Sequence, residues 1–471
     1  MGLALAGVSL AACKAVGPDF APPAPPTVTG YQMQGDAPND MARLTPDARA
    51  AGAWWKSFGS AELDQVMDKA LAGNQTVAAA DASLERLRDE LAATHGAQAP
   101  QVTANAGIQA ERINIASLGF AGFPNPTLGL YSIGGQVSYD VDLFGGLRRA
   151  TEAAAARAES QARQADAAYL TLTGQTTMTA LEIGTTRAEI TAVEQAIDDD
   201  KRLLDIVRQA VEAGGQAPAA SNSVEAQLAQ DEALLPPLRA QLSRSRHALA
   251  ELVGEAPANW APPDFDLASF TAPTEVPVSV PSSLVRRRPD ILAAEANLHA
   301  ATADIGVATA ALYPDIKLSA NMTQTIPPPG NLLVYGSSGW QVGAGLVEPL
   351  LNGGSLKASR RAAQAEARVA LAQYRSTVVT AFTQVSDAME AISEDDAEIT
   401  ALTQAQTTAM GAVRDDEIAF RYGGGPLLTI MDDQRRLQLA RQALARAQGQ
   451  RLADIARLYV ATAADWREAK S

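Results

Sequence analysis

Few side chains in this sequence have the type and spacing that chemistry requires. Its 471 residues contain three histidines, His95, His247 and His299, scattered without a nucleophile or acid set beside them. No Walker-type or dinucleotide glycine motif occurs. The acid runs Asp198-Asp199-Asp200 and Asp415-Asp416-Glu417 fall on stretches read as exposed helix, so solvated surface is their expected role. One cysteine excludes an intrachain disulfide and a cysteine-based zinc site. The expectation is a protein that is not an enzyme and has no cofactor or metal.

Cys13 is the exception. It follows Leu10-Ala11-Ala12 and a short apolar segment, the pattern that a lipoprotein signal peptidase accepts. Residues 1–13 then read as signal peptide and lipobox, and Cys13 would carry diacylglycerol and palmitate. The plainer alternative is a fortuitous cysteine in an alanine-rich stretch. The apolar segment lacks the positive flank of an export signal, so the start is expected upstream. Lys14, rather than an acid, leans toward the outer membrane. Val16 to Phe20 and the proline-rich Pro22 to Pro26 should form an extended tether rather than a packed element. Residues 14–53 are read as this tether and an equatorial segment.

The formal net charge is −15, which disfavours nucleic acid as a partner. The hydrophobic fraction of 47% rules out wholesale disorder, while 5% aromatics is low for a large compact core. Past the first dozen residues, no apolar run approaches the ~20 residues of a membrane-spanning helix.

The elements that must position any site are duplicated. Pro100 and Pro314 lie 214 residues apart, with Ala82, Leu84, Val102 and Ala106 meeting Ala296, Leu298, Ile316 and Ala320. Leu143-x-Gly145-Gly146 recurs as Leu351-x-Gly353-Gly354, and Gly214-Gly215 as Gly423-Gly424. The near-constant offset indicates two structural repeats, 54–280 and 281–471. Each has a helical stretch, two strands and a long helical hairpin. Strands are read at about 101–112 and 131–142, then about 316–326 and 339–348. In all four, apolar and polar residues alternate, as in Val102, Ala104, Ala106 and Ile108 against Gln101, Thr103, Asn105 and Gln109. This pattern and length suit a transmembrane β-strand, but a half-buried soluble sheet equally well.

The hairpins, about 145–253 and 353–464, argue for the first. From Gly146 and from Gly354 the chain is rich in strong helix formers for about 68 residues, a rod of roughly 100 Å. Pro236-Pro237 should kink or break the first return helix. Rods of this length need coiled-coil neighbours. Four strands cannot close a barrel, since the smallest have about eight, so the chain must oligomerise if they cross a bilayer. A homotrimer would supply twelve.

The motif Leu284-Val285-Arg286-Arg287-Arg288-Pro289-Asp290-Ile291 continues through Ala294-Glu295 and Ile305-Gly306-Val307-Ala308 to Tyr313-Pro314-Asp315-Ile316. With Trp54-Trp55, Phe58, Leu63, Arg421-Tyr422-Gly423 and Leu427 to Asp432, it resembles the outer-membrane factor family of TolC-like channels. Within it, the sequence resembles the OprM/NodT-like lipoprotein branch of RND efflux systems. The resemblance covers nearly the whole chain from Cys13. It implies a mixed α and β membrane protein: four transmembrane strands per protomer, a trimeric 12-stranded β-barrel, and a long periplasmic α-helical barrel with an equatorial collar. The collar would combine the carboxy-terminal segment with inserts near Pro257 to Pro281. Arg288-Pro289-Asp290 also reads as a helix start, with proline in the first turn and an acid at the positive end.

By the same resemblance, the chain is a passive duct held in outer-membrane lipid. It would partner a periplasmic membrane-fusion adaptor and an inner-membrane RND pump. Its periplasmic gate would be Leu428, Asp432, Arg435 and Tyr422, with Arg435 tying acidic neighbours and Tyr422 acting as a latch. Ala219 to Ser223 departs from the Leu-Asp pair of many relatives, which puts an acid from the first hairpin in doubt. Gly214, Gly215, Gly423, Gly424 and Gly425 are the adaptor-contact positions. Type I secretion or metal efflux by the same fold is one alternative. A lipid-anchored coiled-coil scaffold without a pore is another.

Overall fold

The computed structural model describes residues 15–28, 30–33, 44–46, 53–114, 119, 122, 124–273, 276–278, 281–326 and 334–463. Cys13 and residues 464–471 lie outside them. In chain order the elements are β1 (Leu44–Pro46), α1 (Ala61–Gly73), α2 (Gln75–Gly96), β2 (Gln101–Arg112), β3 (Thr127–Asp140), α3 (Gly146–Glu212), α4 (Pro218–Glu232) and α5 (Leu235–Leu252). Then follow β4 (Val276–Val278), α6 (Pro281–Arg287), α7 (Pro289–Ala310), β5 (Asp315–Ile326), β6 (Ser338–Val347), α8 (Ser355–Arg421) and α9 (Leu427–Ala461). They divide into two compact units. The first draws on Met1–Pro23, Ser83–Ala162 and Ala293–Tyr374, and the second on Ala24–Ala82, Arg163–Leu292 and Arg375–Ser471.

The first unit holds an antiparallel sheet of order β2-β3-β5-β6. Its register puts Val102, Val137, Ala320 and Val342 in one row across the sheet, with Thr103, Gln136, Asn321 and Gln341 in the next. One face is therefore apolar and the other polar. Gln324, opposite Ile133 and Ser338, is a polar intrusion on the apolar face. That face is open: Ile108 is 81% exposed, Val102 74% and Trp340 71%. A soluble sheet buries its apolar face, so the exposure favours the transmembrane reading left open by the alternation alone. β3 starts at Thr127, four residues before the expected position, because Thr127 to Leu130 continue the ladder with Arg112 to Gln109.

The tether departs from expectation. Val16 N–H donates to Phe144 O at 3.1 Å, and Arg149 donates to Val16 O and to Asp19. Phe20 stacks on His299 with centroids 4.4 Å apart, and His299 Nε2 lies 3.0 Å from Glu152. Residues 15–20 are thus a packed strap. Glycine makes this possible: Gly17 has φ +96°, and a Cβ there would stand 2.5 Å from Gly306 Cα.

In the second unit, Trp54, Trp55 and Phe58 are buried, and Trp54 stacks on Tyr459 at 5.3 Å. The loop after α5 is laid on α3, where a Cβ at Gly184 would stand 3.2 Å from Leu267 N. α4 ends at Glu232 and α5 begins at Leu235, so Pro236-Pro237 fall in a first turn, where a missing N–H costs little. Both α3 and α8 run for 67 residues without interruption.

Candidate functional site

The two hairpin turns are built alike. Gly214 (φ +76°) and Gly423 (φ +79°) take the left-handed conformation that ends a helix. Gly215 N–H then donates to Ala210 O at 2.8 Å, and Gly424 N–H to Ala419 O at 2.9 Å. One apolar cluster lies under both turns: Leu203, Leu204 and Val207 of α3, Val224 of α4, Phe420 of α8 and Ile430 of α9. The cluster brings the two hairpins together within the second unit.

On α9, Ile430 belongs to this core and Leu437 is buried, while Leu428, Asp432 and Arg435 share the exposed side. Leu428 is 76% exposed and Tyr422 88%, high for residues of their size. Asp432 pairs with Arg436 at 2.6 Å, one position beyond Arg435, because a four-residue step sets side chains over one another on a helix. On the first hairpin, Arg208 of α3 pairs with Glu225 of α4 at 2.6 Å.

The acid runs are not simply solvated. Asp200 is 3% exposed, and its Oδ2 finds no donor. It faces Asp231 of α4, itself buried, and burial followed by the Asp231 hydrogen bond and charge pushes the Asp200 carboxyl up to about 8. Asp231 accepts from Gln438 of α9 at 2.9 Å and from Gln227 at 3.2 Å. Next to it, Asp199 takes Arg441 of α9 at 2.8 Å as well as Arg202. Further along, Asp395 of α8 faces Asp454 of α9, and burial with that neighbour raises Asp395 to about 7. Nearer the second turn, burial and Asp416 raise Asp433.

Residue spacing carried a signal for these acids. Asp200 lies on the stripe of Ile197, Leu204 and Val207, and Asp433 on that of Ile430 and Leu437, all of them buried. The partners of Arg288 had no such signal. It donates to Asp290, to Gln384 and to Ala461 O, joining the start of α7 to α8 and the end of α9.

Among the described residues, no group of three or more His, Cys, Asp or Glu side chains could hold a metal ion, and no helix is long and apolar enough to cross a membrane. An open amphipathic sheet, two long helical hairpins and a shared apolar core under their turns are the working parts.

The chain matches the Outer membrane efflux protein family over residues 66–255 and 280–464. It is 28% identical to the pyoverdine export outer membrane protein OpmQ of Pseudomonas aeruginosa, over 91% of this chain and 90% of that one. It is also 28% identical to the toluene efflux pump outer membrane protein TtgC of Pseudomonas putida, over 99% and 96%. The solved outer-membrane channel OprN superposes with a TM-score of 0.86 at 26% identity, covering 96% of this chain and 99% of that one. The TolC-like fold read from the motifs is borne out. An efflux channel of the outer membrane reaching into the periplasm accounts for the parts described, and the chain belongs to the outer membrane efflux protein family.

Proposed function

We propose that three copies of this chain join β2 to β6 around a ring, closing a twelve-stranded barrel through which small exported molecules leave the cell. The observation that carries this is the four-stranded sheet with an uncovered apolar face and, among the described residues, no partner on the outer edges of β2 and β6. Unpaired strand edges are not stable in lipid, and closure removes them. Energy would come from an inner-membrane pump of the RND class through a periplasmic adaptor. Its hairpins would meet Gly214, Gly215, Gly423, Gly424 and Gly425. Leu428, Asp432, Arg435 and Tyr422 would line the closed end. Acylation at Cys13 would add a lipid anchor, and the strap at residues 15–20 would set how far that anchor can reach.

Native mass spectrometry of the detergent-purified chain tests the assembly. A trimer is expected. A stable monomer would leave four strands unable to enclose a pore and favour a lipid-anchored scaffold. Cys13→Ala should abolish palmitate incorporation while trimers still form; label in that variant would refute the lipobox.

A further inference from the structure

The acids that the channel reading leaves unused lie where helices of both hairpins meet. Asp200 comes from α3, Asp231 from α4, and Gln438 reaches Asp231 from α9. Asp200 is nine-tenths buried or more, and the oxygen it turns inward has no donor. Two carboxylates cannot face each other in this way without a positive charge or a proton between them.

The charged surroundings do not supply the charge. Asp199 is the neighbouring acid on α3, and it pairs with Arg202 and Arg441. From α4 the facing group is the Gln227 amide, and from α9 the Gln438 amide. Both amides donate to Asp231, and neither donates to Asp200 Oδ2.

We propose that the Asp200–Asp231–Gln438 node is a proton-dependent clasp. With one proton shared between the carboxyls, it holds α3 against α4, and Gln438 ties α9 to the pair; with both ionised, α3 and α4 are driven apart. Protonated Asp200 donates to Asp231, whose other oxygen stays available to Gln438. Ionisation sets two negative charges face to face in a poorly solvated spot, and the least costly relief is separation of α3 from α4. The clasp lies beside the apolar cluster under the two turns, so its release would loosen those turns. That consequence rests on the reading of the turns as the closed end of a channel, whereas the clasp itself does not.

Amide hydrogen exchange of the full-length chain in detergent, followed by mass spectrometry from pH 5.5 to 9 and normalised to intrinsic rates, tests it. Peptides spanning Asp200 and Asp231 should lose about tenfold or more of their protection between pH 6 and pH 9, tenfold being the weight of one pKa unit. Asp200→Asn and, separately, Asp231→Asn should keep protection level across that range. A level profile in the unmodified chain, or the same loss in both variants, would overturn the clasp. So would restoration of protection at pH 9 by magnesium with loss at pH 6 in EDTA, since a bound cation would then be what joins the acids. Conductance in planar bilayers reads the channel separately, and a chain that forms no pore would refute the channel reading while leaving the exchange result in force.

Discussion

Arg288 donates from each of its three nitrogens at a helix break that otherwise has no reason to hold. Nε and Nη2 fork onto Asp290, Nη2 also reaches Gln384, and Nη1 takes Ala461 O at 3.0 Å. The guanidinium is buried, while Asp290 is partly exposed and can rehydrate. Arg288→Ala should therefore cost about 2–3 kcal/mol, below the full penalty of a broken buried pair. Arg288→Lys should recover only part of this, because an ammonium cannot form the fork. Urea denaturation in detergent measures both, and an unchanged midpoint would show that the network contributes nothing. The proline and acid at this helix start were legible in the sequence. The ties to Gln384 and Ala461 were not, since they cross 96 and 173 residues of chain that no local pattern links.

Asp395 makes a different prediction at the same scale. Its folded value of about 7 lies above the ordinary carboxyl value of about 4, so the folded chain binds this proton more tightly than the unfolded one. Its contribution to stability is therefore full below about pH 4, is lost as pH rises toward about 7, and levels off above. Asp395→Asn does not titrate. Its gain in Tm over the unmodified chain should grow with pH across that window, and a gain independent of pH would contradict the assignment. Burial of such acids could be read only by asking which member of an acid run shares the stripe of its apolar neighbours, because composition alone favours the surface.

Among the elements, strands were easier to read than packing. Period two located all four strands of the sheet, but β3 was read short because Leu128 and Leu130 place apolar side chains on the otherwise polar face. The first helical stretch reads as one, yet Gly73-Asn74 divides it, with Asn74 capping α2 through Thr76 and Val77 N–H and donating to Leu252 O. The strap was missed for a similar reason. Its proline-rich neighbourhood suggests an extended spacer, and only the meeting of Gly17 with Gly306 allows contact. Gly17→Ala should lift the strap, since the added Cβ meets backbone at 2.5 Å and φ is already +96°. Limited proteolysis should then cut near residues 15–20 while far-ultraviolet circular dichroism is unchanged. Equal resistance in the variant would mean that the strap tolerates the side chain.

For the whole assembly, the question is what keeps an outer-membrane channel from leaking at rest. Three copies of Asp432 at the closed end would repel, and the pair with Arg436 would offset part of that repulsion in each chain. The pair is exposed, with Asp432 56% and Arg436 68% accessible at the side chain, so it stabilises by only about 0.2–1 kcal/mol and weakens with salt. A proposed closed end ringed by mutually repelling carboxylates would be shallow, as suits an end that a docking partner would open. In the proposed ring, Asp432→Ala replaces three carboxylate side chains with methyl groups and widens the bore, so single-channel conductance in planar bilayers should rise. Conductance and antibiotic uptake that both stay at the unmodified level would reject the acidic ring as the closure and return attention to Leu428 and Tyr422 as the barrier.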